Sequence, residues 1–467
     1  MARTLRIFGN ILLVSAAILV NNDQILAEFR SLLSAQPPTP RQQSDINLIL
    51  GERIGTPPSF AVPDFLALSD EPETVAAAKT IAKVLWDDLA FEREFRLIPR
   101  DTYDTIAPAR SLTDVPFNRW VELGADGVVI GTVEKIEENK FKVRVRLFNV
   151  RTLESAFGVE YTGSSKSSRS YGHQLSDEIH RHQRALKGVA QTKLAFASDR
   201  DIEPMTGLVP GRAVKELYIT DYDGANPRRV TVGRSLNITP AWCAKGRAIA
   251  YTSYQRGYQD ILVSFIYQGT LTSPASTENN FHNWLPACSR DGTRIAFTSN
   301  RDGNSELYAM NSDGTDVRRI TNHPAIDTSP TWSPTGNQIA FVSDRTGAPQ
   351  IYVIGVDGTG LRRLTYESYC DRPTWSPEQY NEIAYSSRTG RGHDIKILAL
   401  ATNTVRQLTF GLGTNESPSY SPNGRHIAFM STRSASGLKQ IYTVARDGRG
   451  LRRVTNVGNN EMPSWSP

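Results

Sequence analysis

Three carboxylates share one recurring place in this sequence. Asp371, Glu416 and Glu461 each lie two residues before a proline, and the same count back from Pro240, Pro286 and Pro330 gives Ile238, Trp284 and Thr328. If the prolines mark one repeated strand, the acids fall side by side at one end of whatever the repeat encloses, with Asp327 beside them. Like charges converging on a narrow opening focus the potential and draw a basic partner or a cation. A calcium held by oxygens from several repeats is a second use of the same acids, although no EF-hand loop is present. The bland reading is a set of solvated loop ends.

Other residue patterns offer less. His173, Asp177 and His180 fall on one helical face, but two histidines and a carboxylate leave a tetrahedral metal site incomplete. A hydrogen-bonded helix face packed on its own sheet is the plainer expectation. Cys243, Cys288 and Cys370 lack any C-x-x-C spacing, and their odd number leaves at least one thiol unpaired. They supply neither a zinc site nor a disulfide framework. Arg228-Arg229, Arg318-Arg319, Arg362-Arg363 and Arg452-Arg453 read as cations that deter pairing at exposed strand edges. No G-x-S-x-G, H-E-x-x-H, P-loop or G-x-G-x-x-G occurs, so no catalytic residue is assigned and an enzyme is not expected. If the repeats enclose a central channel, the rival class is a hydrolase or lyase, or a small-ligand binder, that uses it.

The elements that position these residues come from an internal period. One phrase recurs six times, from Leu194-Ala195-Phe196-Ala197-Ser198 to Ile427-Ala428-Phe429-Met430-Ser431. Its aromatics Phe196, Tyr251, Phe297, Phe341, Tyr385 and Phe429 are spaced by 55, 46, 44, 44 and 44 residues. A proline-aromatic segment precedes each phrase from the second on, and an apolar strand follows. Asp-Gly turns stand at Asp223, Asp313, Asp357 and Asp447. Four short antiparallel strands per period are the blade of a β-propeller, and six phrases make six blades. The first phrase lacks its leading proline, whereas Pro463-Ser464-Trp465-Ser466-Pro467 lacks a following strand. The C-terminal segment therefore supplies the innermost strand of the first blade. Trp242, Trp332, Trp375 and Trp465 then fill space between blades.

The first half reads differently. Arg3 and Arg6 precede an apolar run, so residues 1–27 have the form of a Sec-type export signal. Residues 28–44, with Pro37, Pro38 and Pro40, read as a flexible lead-in. Strands are expected at Ile46–Leu50, Ser59–Leu68 and Phe95–Ile98, with helices near Pro72–Ala90, Asn118–Leu123 and Ser170–Leu186. A hairpin of Gly127–Ile136 and Phe141–Asn149 completes an α/β domain over 45–188, and the propeller takes 189–467. The chain carries 53 Lys and Arg against 48 Asp and Glu, a net +5, which gives no electrostatic case for nucleic acid.

An α/β domain ending in Tyr171-Gly172-His173 and Ser176-Asp177-Glu178-Ile179, then six blades closed by the terminal Pro-Ser-Trp-Ser-Pro, resembles the TolB family, the periplasmic component of the Tol–Pal system. Leu217 to Gly224 is similar to the family's first blade. The likeness runs from Ile46 to Pro467, and the paired domain order is its specific part. It implies a periplasmic binding protein without a cofactor, peripheral to the envelope and with no transmembrane segment once exported. The family docks the Pal lipoprotein at one channel mouth, where His282, Leu285 and Thr328 stand at its contact positions and Asp371, Glu416 and Glu461 share the rim. Its N-terminal segment, here 46–60, links to TolA, although a proline-rich stretch precedes it and its wording departs from the family. Such a protein supports outer-membrane integrity and cell division.

Overall fold

The computed structural model describes residues 41–42, 48–49, 55–203, 214–275, 281–390 and 392–467. The expected export signal lies outside the described residues, as do most of the lead-in and of the strand expected at 46–50. The chain divides into two compact units, Met1–Gln191 and Thr192–Pro467.

The first unit is a mixed sheet covered on both faces. Its strands run in the order Arg41–Gln42, Ser155–Ser164, Lys140–Asn149, Gly127–Glu137, Ser59–Ala61 and Arg96–Leu97, and Leu66–Ala67 also pairs with Gly127–Glu137. Side chains of Gly127–Glu137 alternate between faces. Val129 and Val133 join the core beneath the helices Pro72–Glu92 and Ser168–Arg184, whereas Val128 and Ile130 meet Trp120 of the short helix Phe117–Glu122. Pro72 occupies the first helical turn, where its missing N–H is harmless. Gly172 lets the two long helices approach, since a Cβ there would lie 2.7 Å from Val84. The expected strand 59–68 is two short pieces, because Pro63 cannot donate to the ladder. Ser155–Ser164 is a third hairpin strand that was not expected. Its turn is built by Asn149, whose side-chain oxygen accepts from the N–H groups of Arg151 and Thr152 at 2.9 and 3.2 Å.

The second unit is a six-bladed propeller of four-stranded sheets. Asn460–Trp465 pairs antiparallel with Lys193–Ser198, with Leu194 opposite Trp465, and so completes the first blade from the far end of the chain. The prolines do not open the inner strands. Each stands inside one, as Pro330 does within Asp327–Trp332, at a register shift between Thr328 and Thr331. The residue before each proline is left-handed: Thr239, Leu285, Ser329, Arg372, Ser417 and Met462 have φ between 53 and 57°. A bulge at every inner strand is how proline is accommodated in a ladder.

Tryptophans wedge between blades as expected. The Trp242 indole donates to the Ser464 carbonyl at 3.0 Å, and that of Trp332 to the Ala287 carbonyl at 2.9 Å. The third blade has Cys288 at this place instead. It forms a disulfide with Cys243 of the second blade, with Cα atoms 5.3 Å apart, so a bridge stands where the wedge is missing. Cys370 is the unpaired thiol, and it is buried.

Candidate functional site at the channel mouth

Blade boundaries are stitched by a repeated polar network. In the third blade Glu306 accepts from Thr321, which itself takes the Leu307 N–H at 3.0 Å. Asn237, Asn283, Asn415 and Asn460 begin inner strands and donate to the acid or amide at or near the head of the preceding blade's third strand. Arg200, Arg301 and Arg433 donate to Asn460, Asn283 and Asn415 while lying over the phrase aromatics. Asp327 takes the asparagine's place in the fourth blade and accepts twice from Arg345, at 2.7 and 3.0 Å. Burial pushes its carboxyl upward, against the opposing pull of Ser343 and Arg345. Asp327 thus belongs to this network and is withdrawn from the acidic rim.

The other three acids meet. Asp371, Glu416 and Glu461 line one cavity of about 130 Å³ at the start of the inner strands of blades five, six and one. They do not form the uncompensated negative cluster expected from their spacing. Glu416 faces His393 at 2.9 Å. Glu461, buried, is held between Lys215 and Lys439, the latter at 2.7 Å. Burial works against its charged form, but hydrogen bonds from both lysines outweigh that and hold the carboxyl below its ordinary range. Asp371 accepts from the Arg372 N–H at 2.6 Å and from Ser329 at 3.3 Å. With two lysines on Glu461, a histidine on Glu416 and hydrogen-bond donors on Asp371, these oxygens are already engaged and the calcium reading loses its ligands. Among the described residues no group of three His, Cys, Asp or Glu is placed to hold a metal.

Three of these partners were missed by sequence reasoning for one cause. Lys215, His393 and Lys439 hold one position of the repeat, directly before Glu216, Asp394 and Gln440 at or near the head of the third strand, a place filled by Gln259, Ser305 and Pro349 in the other blades. Aligning the repeat at that position, and not only at the prolines, exposes the compensation. Arg372 directly precedes Pro373 and was visible there.

The remaining expected contact residues are spread out. Leu285 lines the channel waist, a cavity of about 120 Å³ ringed by the six prolines and the left-handed residues before them. His282 and Thr328 line neither cavity. The His282 ring accepts from the Gln259 N–H at 3.3 Å, and the Thr328 hydroxyl lies 3.3 Å from that of Thr298.

The helix residues His173, Asp177 and His180 serve separate packing roles. His173 pairs with buried Asp88 of the other long helix at 2.8 Å, His180 contacts the Ser176 carbonyl at 2.8 Å, and Asp177 accepts from Ala190 at 3.0 Å. The arginine pairs form the outermost strands of four blades, and the second arginine of each also braces the chain beyond it, with Nε of Arg229, Arg319, Arg363 and Arg453 donating to a carbonyl two residues on at 2.6–2.7 Å.

Comparison with known proteins agrees with this architecture. The TolB amino-terminal domain profile matches residues 48–155, and the TolB beta propeller domain profile matches 184–467. A Tol-Pal system protein TolB from Bordetella pertussis is 30% identical over 408 residues, 86% of this chain and 88% of the relative. One from Desulfosudis oleivorans is 34% identical over 267 residues, and the match spans only 57% of that relative's length. The crystal structure of TolB from Acinetobacter baumannii superposes with a TM-score of 0.73 at 25% identity, covering 92% of this chain and all of that one. Among the described residues no helix is long and apolar enough to cross a membrane. With both domains matched in order along most of its length, the chain belongs to the TolB family.

Proposed function

We propose that this protein is a non-catalytic docking component of the Tol–Pal system, exported to the periplasm by residues 1–27. It holds the lipoprotein Pal at the channel mouth that carries Asp371, Glu416 and Glu461, with His282, Leu285 and Thr328 contributing from blades three and four. Residues 46–60 engage TolA. Through these contacts the protein supports outer-membrane integrity and division.

The observation that carries this reading is the charge pattern of the mouth. Glu461 between Lys215 and Lys439, and Asp371 beside Arg372, set both signs around one opening. Such a rim complements the mixed surface of a folded partner, selecting it and fixing its register.

The test is titration of the Pal periplasmic domain from the same cell onto the purified protein. Glu416→Lys replaces the carboxylate that faces His393 with a cation and is expected to weaken binding about tenfold, with the melting temperature held. Thr328→Arg is expected to do the same from the fourth blade. Full affinity in both variants removes this mouth as the docking surface. Glu461→Lys is a poor probe, because a third cation would sit buried beside Lys215 and Lys439.

A further inference from the structure

The opposite mouth differs from the first in charge. A cavity of about 300 Å³ opens where the inner strands end, walled by tryptophans, prolines and serines of the turns that follow them. Among its lining residues only Lys245 and Arg290 have charged side chains, and both are cations.

These two cations sit on neighbouring blades, on turns in contact. A Cβ on Gly292 would lie 3.0 Å from the Ala244 Cα and 3.1 Å from the Lys245 nitrogen. Four other blades place Pro334, Pro377, Pro422 and Pro467 where the third has Arg290. The backbone carrying Lys245 is strained: Ala244, Lys245 and Gly246 are left-handed in succession, at φ 48, 55 and 84°. Non-glycine residues persist there only where their surroundings over-determine them. The Cys243–Cys288 bridge does so, standing one residue before Ala244 and two before Arg290. Arg290 extends across the opening, its Nη2 donating at 3.0 Å to the Pro422 carbonyl on the facing sixth blade. That acceptor is neutral, and a carboxylate in its place makes a stronger bond.

We propose that this second mouth docks an acidic polypeptide segment, with successive carboxylates on Lys245 and Arg290 and the backbone laid along the proline and tryptophan wall. A polypeptide suits the site better than a free ion. Lys245 is exposed and forms no buried cage, whereas an aromatic and proline wall is the surface on which extended chains lie. The bridge fixes the spacing of the two cations before the ligand arrives, which reduces the ordering cost of binding.

Calorimetric titration of the full chain with an acetylated, amidated hexapeptide of alternating Asp and Pro tests this. The expected result is saturable binding that weakens about tenfold in Lys245→Glu and in Arg290→Gln and falls with added salt. Both variants should melt as the parent does and keep their affinity for Pal, which separates this mouth from the one proposed above. Absence of binding at millimolar peptide, or equal affinity in both variants, overturns the proposal. Citrate binding as tightly as the peptide overturns the polypeptide assignment in favour of a free-anion site.

Discussion

Asp327 and Arg345 form a two-bond pair, at 2.7 and 3.0 Å, at the place where other blades join Asn283, Asn415 and Asn460 to an arginine. The propeller therefore contains its own control for what the charge at this place contributes. Asp327→Ala leaves a mostly buried guanidinium without its partner and is expected to cost about 3 kcal/mol. Asp327→Asn copies three other blades and is expected to cost less than about 1 kcal/mol. Urea denaturation of the two variants checks the difference, and equal losses would mean that the ion pair has no special weight.

The covalent link between blades two and three gives a second expectation. The bridge spans 45 residues of sequence, and closing a loop of that length is worth about 4 kcal/mol on chain entropy alone. Cys243→Ser with Cys288→Ser removes it at a boundary that has no tryptophan wedge. The double variant and the reduced parent should both melt below the oxidised parent, and thermal melts with and without reductant measure the loss.

Ring closure can be probed from the tail. Deleting 460–467 removes the inner strand of the first blade and exposes Leu194, Ala195 and Ala197 along a bare strand edge. The product is expected to aggregate and to lose its cooperative melting transition. Trp465→Ala keeps the strand but empties a buried wedge and should cost about 3–5 kcal/mol. Survival of a sharp transition in the deletion would show the ring to be closed by other contacts.

Acidity should act on the first unit through Asp177. Burial pushes its carboxyl from 3.8 up to about 6, against hydrogen bonds from Gln191 and Ala190 that pull the other way. Between those values the folded form retains a proton that the unfolded chain releases, so stability declines as pH rises through that window and levels off above it. The decline amounts to roughly 3 kcal/mol. Asp177→Asn should abolish it, as followed by urea midpoints from pH 4 to 7. A decline unchanged in the variant assigns the effect to another group.

What could be read from the residues follows from how local each signal is. The blades were legible because an aromatic phrase, a turn pair and a proline recur in step, and because a missing proline at one end matches a spare one at the other. The strand Ser155–Ser164 was not, since its turn uses Asn149 and a left-handed Leu153 in place of an Asp-Gly pair. The acids of the mouth were found by counting from prolines, but Lys215, His393 and Lys439, which face Glu416 and Glu461, stand at or beside the head of another strand of the repeat. Like-charge convergence was therefore inferred where pairing occurs. The Cys243–Cys288 bridge was hidden because its members hold different positions in their blades: Cys288 takes a tryptophan's place, and Cys243 that of the serine after one.

The pairing of Leu194 with Trp465 also sets an order of events. A chain made from its N-terminus presents the first blade some 270 residues before the strand that finishes it (465 less 194). Throughout that interval the earliest blade carries an open flank that invites neighbouring chains. Contacts so distant in sequence form slowly, so the newborn protein needs shelter for longest at the part it makes first.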